Sequence, residues 1–312
     1  MIMIFAAMVC LTSLALATAI MPQPWTEELY YDAASQLTGN PVFIAQNLLL
    51  RDKAIKSKYT NYVPNSIFDS TTNDIVILFQ KSHGIKPVNR ELGYFEETTA
   101  QLLLDLYSKD TIKDSGFTAK SMGYKYKFHI PVHSNRSIET MATLYDDMNT
   151  VMHVFKVRAH GHRDDASTQQ PWPDYGNGDY GLNQFSSNGM TVTGIIAIDY
   201  NTPEPDADLY GSWPVNRFVK GLDGNAKFLL PNIRDGILIH TGNWTSESHG
   251  EWTPDQEMPN SSGCLHIHPS DQETIYKILT TKLSIVTNNN TFSGKNYPYS
   301  CQGIAVVELI TN

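Results

Sequence analysis

Cysteine is scarce, with three residues in a chain of 312, too few for a disulfide scaffold. Charge is scarce as well: Asp, Glu, Lys and Arg make up 18% of residues, and 32 acidic against 23 basic side chains leave a net charge of −9 at pH 7. A surface with that sign repels phosphate backbones and anionic membranes, so nucleic acid and lipid surfaces are not the expected partners. The chain also lacks any repeat of collagen or heptad type. With 41% hydrophobic and 11% aromatic residues it has the makeup of an ordinary globular protein, and its length suggests about two domains at roughly 150 residues each.

Beyond residue 19 no apolar run is long enough to span a bilayer. Residues 1–19 are apolar and uncharged and end in small residues, with Ala15-Leu16-Ala17 and Ala17-Thr18-Ala19 as cleavage sites. They read as a secretory signal peptide without the usual basic n-region, and an uncleaved N-terminal anchor is the alternative. Cleavage would remove Cys10 and leave Cys264 and Cys301, which in an oxidising compartment could pair. The signal peptide makes the product one expected outside the cell, and sequons at Asn135, Asn243, Asn260 and Asn289 would accept glycans only if the host secretes through a eukaryotic pathway.

Between residues 39 and 107 one pattern of break plus helix occurs twice. Phe68-Asp69 before Thr71-Thr72 leads into the apolar run 75–79, and Phe95-Glu96 before Thr98-Thr99 leads into 100–104. In each copy an acid precedes a Thr that can cap free backbone N–H groups, and apolar residues follow at helical spacing. With residues 42–49 as a first helix, the stretch 38–108 resembles a three-helix peptidoglycan-binding module. A plain helical spacer, with Phe68, Phe79 and Phe95 as core, is the alternative. Residues 116–123 read as a linker.

From residue 124 strand formers dominate. Residues 124–130, 154–158, 194–199, 236–240 and 302–309 read as strands, and one helix is expected over 271–282 behind Pro269-Ser270. The fold class read from this is α+β: a small N-terminal helical module, then a mainly antiparallel β domain with one helix in its C-terminal half. The long stretches 164–181 and 243–260 are candidate functional loops.

Two segments carry chemistry: Ile239-His240-Thr241-Gly242 at a strand end, and Ser261-Ser262-Gly263-Cys264-Leu265-His266. A thiolate is the nucleophile in thiol catalysis, and a nearby imidazole can take its proton. A glycine before the cysteine lets backbone N–H groups turn toward an oxyanion. These residues, with Thr191-Val192-Thr193-Gly194 upstream, resemble the L,D-transpeptidase catalytic domain over residues 123–312. That resemblance implies a β-sandwich, Cys264 as acylated nucleophile, His240 as base, and Thr241 and Gly263 shaping the pocket and oxyanion site. It implies action on peptidoglycan stem peptides without cofactor or metal, by transpeptidation or carboxypeptidation. Ser261, Ser262, His266, Arg217 and Arg158 are candidate substrate contacts, the arginines for stem carboxylates.

The chain departs from the family pattern in three ways: Ser262 replaces a histidine before Gly-Cys, His266 stands where Arg or Asn is common, and residues 243–260 lengthen the His-to-Cys interval. Two alternatives stand beside the enzyme reading. One is a non-catalytic wall-binding module stapled by Cys264–Cys301. The other is a zinc-dependent peptidoglycan hydrolase drawing on His240, His249, Cys264, His266 and His268, although no HExxH-like or CxxC pair frames it. His160 and His162 read as a loop near the pocket.

Overall fold

The computed structural model describes residues 21–88, 90–109, 112–159, 183–243, 257–290 and 296–311. Residues 1–19, His160, His162, His249 and most of the two long stretches lie outside them. Among the described residues no helix is long and apolar enough to cross a membrane.

Four helices come first: α1 (Asn40–Leu49), α2 (Lys53–Lys58), α3 (Ser70–Ser82) and α4 (Glu97–Tyr107). The repeated sequence pattern builds the same hydrogen-bond network twice. Asp69 caps α3, its Oδ1 accepting from the backbone N and Oγ1 of Thr72 (2.7 and 2.8 Å). Glu96 caps α4, its Oε1 accepting from the same two groups of Thr99 (2.9 and 2.7 Å). A buried glutamine from the preceding helix completes each copy. Gln46 Nε2 donates to Thr72 Oγ1 (2.9 Å) while its Oε1 accepts from Asn65 and Ser66 N (3.0 Å each). Gln80 Nε2 donates to Thr99 Oγ1 (3.0 Å) while its Oε1 accepts from Gly93 N (2.8 Å). Every polar atom of these amides that enters the interior thus meets a partner, as burial requires, and Phe68 and Phe95 fill equivalent core positions beside them.

Eight strands follow: β1 (Tyr126–His133), β2 (Thr140–Tyr145), β3 (Val151–Arg158), β4 (Gly194–Asn201), β5 (Val215–Asp223), β6 (Leu238–His240), β7 (Leu265–Ile267) and β8 (Gly303–Ile310). They close into a barrel in the order β1-β2-β3-β7-β6-β5-β4-β8. Short helices α5 (Ala207–Tyr210) and α6 (Ala226–Leu229) flank β5. The expected C-terminal helix is α7 (Pro269–Lys277), continued by a π turn over Ile278–Lys282.

The expected architecture, a separate helical module before a mainly antiparallel β-sandwich, is overturned. β8 pairs with β4 on one side and in parallel with β1 on the other, sealing the ring where a sandwich would leave two sheets with free edges. β6 and β7 are also parallel, joined by the long 241–264 crossover. Nor do the helices have a core to themselves, because Trp25, Leu48 and Phe79 belong to one continuous hydrophobic core with Phe128, Ile198 and Val307. The seam is hydrogen-bonded as well: Arg51 donates to Asn225 Oδ1 (2.5 Å), and the Ser108 carbonyl accepts from Gln184 and Asn225 (3.0 and 2.7 Å).

Strand alternation assigns the two faces of the wall. Phe155, Val157, Ile196, Ile198, Phe218, Ile239, Leu265 and Ile267 belong to the core. The residues between them stand on the outer face.

Candidate active site

On that outer face the register gathers the sequence candidates into two rows. Arg217 on β5 is opposite Leu238 on β6, and the Leu238 backbone N–H pulls down the pKa of the Cys264 thiol just before β7. One step along, His240 is opposite His266, which is opposite Arg158 on β3. The imidazoles of His240 and His266 meet edge to face, with centroids 4.8 Å apart. Alternation sends residues 238 and 240 the same way and residues 264 and 266 the same way, so Cys264 and His240 are diagonal neighbours on one surface.

His240 is buried, and its Nδ1 lies 2.7 Å from the Thr241 carbonyl. A carbonyl only accepts, so Nδ1 carries the hydrogen and Nε2 the lone pair. Burial holds this imidazole neutral, lowering its pKa to about 4, against a smaller opposing pull from the Thr241 carbonyl. Tyr210, at the end of α5, packs on the ring with centroids 5.0 Å apart. Next to it Gly211 has φ +74° and leaves no room for a side chain, since a Cβ would stand 2.6 Å from Thr241 Cγ2. Thr241 Oγ1 is buried with no hydrogen-bond partner among the described residues.

Cys264 is half-buried and its thiol points to Gly236 O (3.7 Å) rather than to His240. Burial pushes the thiol up to about 11, opposed by the Leu238 N–H, Arg234 and Arg217. The turn before it is tightly built. Ser261 Oγ donates to Cys264 O (2.7 Å) and accepts from Gly263 N (3.1 Å). That N–H is therefore engaged in the turn, and Gly263 serves the site by its shape: at φ +111° a Cβ would lie 2.2 Å from Arg234 Nη2. Ser262 is exposed, and its carbonyl accepts from Arg234 (3.2 Å). Thr191, of the Thr-x-Thr-Gly segment, donates to Ala159 O (3.2 Å) and lies 3.5 Å from Cys264 O.

No family model, characterised protein or solved structure matches the chain.

Of the two candidate arginines only Arg217 acts on the thiol, and both are already engaged. Arg217 is buried and donates to Glu204 Oε1 (2.5 Å), Asn201 Oδ1 (3.0 Å) and Asn290 Oδ1 (2.5 Å). Arg158 donates to Met258 O and Asn260 Oδ1 (2.7 Å each), fixing the segment that leads into the cysteine turn. His266 Nδ1 meets Pro259 O at 2.8 Å and serves the same segment. His268 instead caps α7. Among the described residues no group of His, Cys, Asp and Glu converges as metal ligands would.

Cys264 and Cys301 are both free thiols. Cys301 lines a separate cavity of about 830 Å³ with Tyr124, Tyr297, Tyr299 and Lys220. Sequence reasoning missed Arg234, Tyr210 and Glu204, which lie in unremarkable segments and carry no motif.

The Arg158–Asn260 bond also bears on the sequons. Asn260 is buried, whereas Asn135, Asn243 and Asn289 are exposed. Secreted from a eukaryotic host, folded protein should carry no glycan at Asn260, because a glycan there would displace the Arg158 contact. Enzymatic deglycosylation in heavy-oxygen water followed by peptide mass mapping reads this directly, and a labelled Asn260 in folded material would refute it.

Proposed function

We propose that the protein is a secreted cysteine acyltransferase that acts on peptidoglycan stem peptides through a thioester on Cys264. The observation that carries this reading is the shared outer face of β6 and β7, where a half-buried thiol sits diagonal to a neutral imidazole with a fixed tautomer. The thiol proton, directed to Gly236 O at rest, passes to Nε2 of His240 as Sγ attacks the carbonyl between an L-centre and a D-centre. Collapse of the tetrahedral intermediate breaks the C–N bond, and the imidazolium returns the proton to the departing D-residue amine. An acceptor amine, or water, then attacks the thioester, giving its proton to His240, and the thiol is restored. With His240 held low and Cys264 held high, both groups are neutral at rest, so the thiolate forms only transiently, as its proton passes to His240.

The test is incubation with a synthetic stem tetrapeptide ending in a D-residue, with and without an amine-bearing stem as acceptor. Release of the D-residue together with a thioester mass on Cys264 is expected, and the cross-linked product appears only if the acceptor competes with water. Folded protein with a titratable Cys264 that releases no D-residue and forms no thioester would defeat the reading.

A further inference from the structure

Arg234 lies between α6 and β6 and is 4% exposed. Its guanidinium makes four hydrogen bonds, all to neutral carbonyls: Nη1 to Gln184 O (2.8 Å) and Met190 O (3.1 Å), Nη2 to Gly189 O (3.0 Å) and Ser262 O (3.2 Å). Among the described residues Arg136 is likewise buried without an acid, but the buried cations of the strands are paired. Lys127 has Asp114 at 2.9 Å and Arg217 has Glu204 at 2.5 Å. A buried cation without an acid is costly unless something else supplies the negative charge. The ionisable group that acts most strongly on Arg234 is Cys264, ahead of the exposed Asp235 beside it.

The coupling is built into the backbone. Ser262 is joined to Arg234 directly, and Gly263 is closed to any side chain because Nη2 fills the space a Cβ would need. The charged and titratable groups that face Cys264 come from every side: Arg234 from the α6–β6 segment, Arg217 from β5, Glu204 from the β4–α5 connection, Tyr210 from the end of α5 and His240 from β6. Arg217 and Glu204 offset each other as an ion pair, and His240 and Tyr210 are neutral near pH 7. Among the described residues around the thiol, Arg234 is the charge left uncompensated.

We infer that Arg234 is the counter-charge of the Cys264 thiolate, a positioning residue held in place by carbonyls so that its acidic partner exists only when the cysteine ionises. The inference deepens the nucleophile assignment and rests on it. A cation fixed before the reaction needs no reorganisation as negative charge develops on sulfur, which is how preorganised sites favour a charged state.

Alkylation of the intact protein by iodoacetamide, followed against pH and localised by peptide mass, reports the thiolate: an S–C bond forms and iodide leaves. In Arg234→Gln the profile for Cys264 should move to higher pH, with alkylation at pH 8 slowed at least about tenfold, the equivalent of one unit of thiol pKa. Arg234→Lys keeps the charge while losing the planar fork, and should restore the wild-type profile. A merely structural arginine would lower the unfolding midpoint in both variants without moving the profile. An unmoved profile in folded Arg234→Gln, or a profile in Arg234→Lys as displaced as that of the glutamine variant, would overturn the inference.

Should Arg234→Gln fail to fold, the wild-type protein decides the matter through two reagents. Anionic iodoacetate should be favoured over neutral iodoacetamide at Cys264 relative to Cys301, whose thiol is raised by burial and then by Asp199. An equal or lower preference at Cys264 would overturn it. Neither reagent is a stem peptide, so a charge effect without D-residue release would retire acyl transfer and leave the counter-charge standing, whereas D-residue release without the charge effect would do the reverse.

Discussion

Cys264→Ala should abolish covalent capture of a carbapenem, and His240→Ala should slow it by about 10²–10⁴-fold, the usual contribution of a positioned general base. The strained β-lactam amide stands in for the stem carbonyl: Sγ adds, the ring C–N bond opens, and the acyl group stays on sulfur because the departing nitrogen remains tethered. Cys301→Ala should leave the rate unchanged, since that thiol lines another cavity. Intact mass against time reads all three. An adduct that persists in Cys264→Ala, or His240→Ala reacting at the wild-type rate, would remove the dyad.

The pH dependence of the same acylation has a definite sign. His240 accepts a proton only while neutral, and burial lowers its pKa to about 4. Acylation should therefore hold as pH falls through the ordinary histidine range near 6.5 and decline only as pH drops through about 4. A rate that halves near pH 6.5 would mean that this imidazole is solvated in the reacting enzyme, contrary to its burial.

The sequence made parts of this legible and hid others for physical reasons. The doubled caps were readable because capping is local: Asp69 with Thr72 and Glu96 with Thr99 act within one turn of their own helices. The strands that became β4, β6 and β8 were readable as apolar runs between turn residues, β1 by its alternation and β3 by its strand-forming residues. β5 was not, because Asn216, Arg217 and Lys220 break its apolar pattern, and Asn216 is buried to accept from the Tyr126 hydroxyl (2.8 Å) across the barrel. Closure could not be read either, since nothing in the composition of β8 says that it pairs with β1 and β4 at once. At the site, Cys264, His240 and Gly263 announced themselves by residue type and spacing. Arg234 did not, because its role depends on four backbone carbonyls from two distant segments, which no side-chain pattern encodes.

Glu204→Ala should push stability and thiol reactivity in opposite directions. Glu204 and Arg217 are each 5% exposed, and removing the carboxylate strands a buried guanidinium with Asn201 and Asn290 as its remaining partners. Breaking a buried pair from one side costs about 3–5 kcal/mol, which a denaturant midpoint would show. Replacing both members with apolar residues, as in Glu204→Leu with Arg217→Met, should recover much of that loss, because the cost lies in the stranded charge. Yet Glu204 raises the Cys264 thiol while Arg217 lowers it, so the single variant bares a second cation toward the sulfur. Folded Glu204→Ala should alkylate at Cys264 faster than wild type, and the double variant should lose that gain. Reactivity that falls along with stability in Glu204→Ala would mean that the pair supports the cysteine turn mechanically rather than through its field.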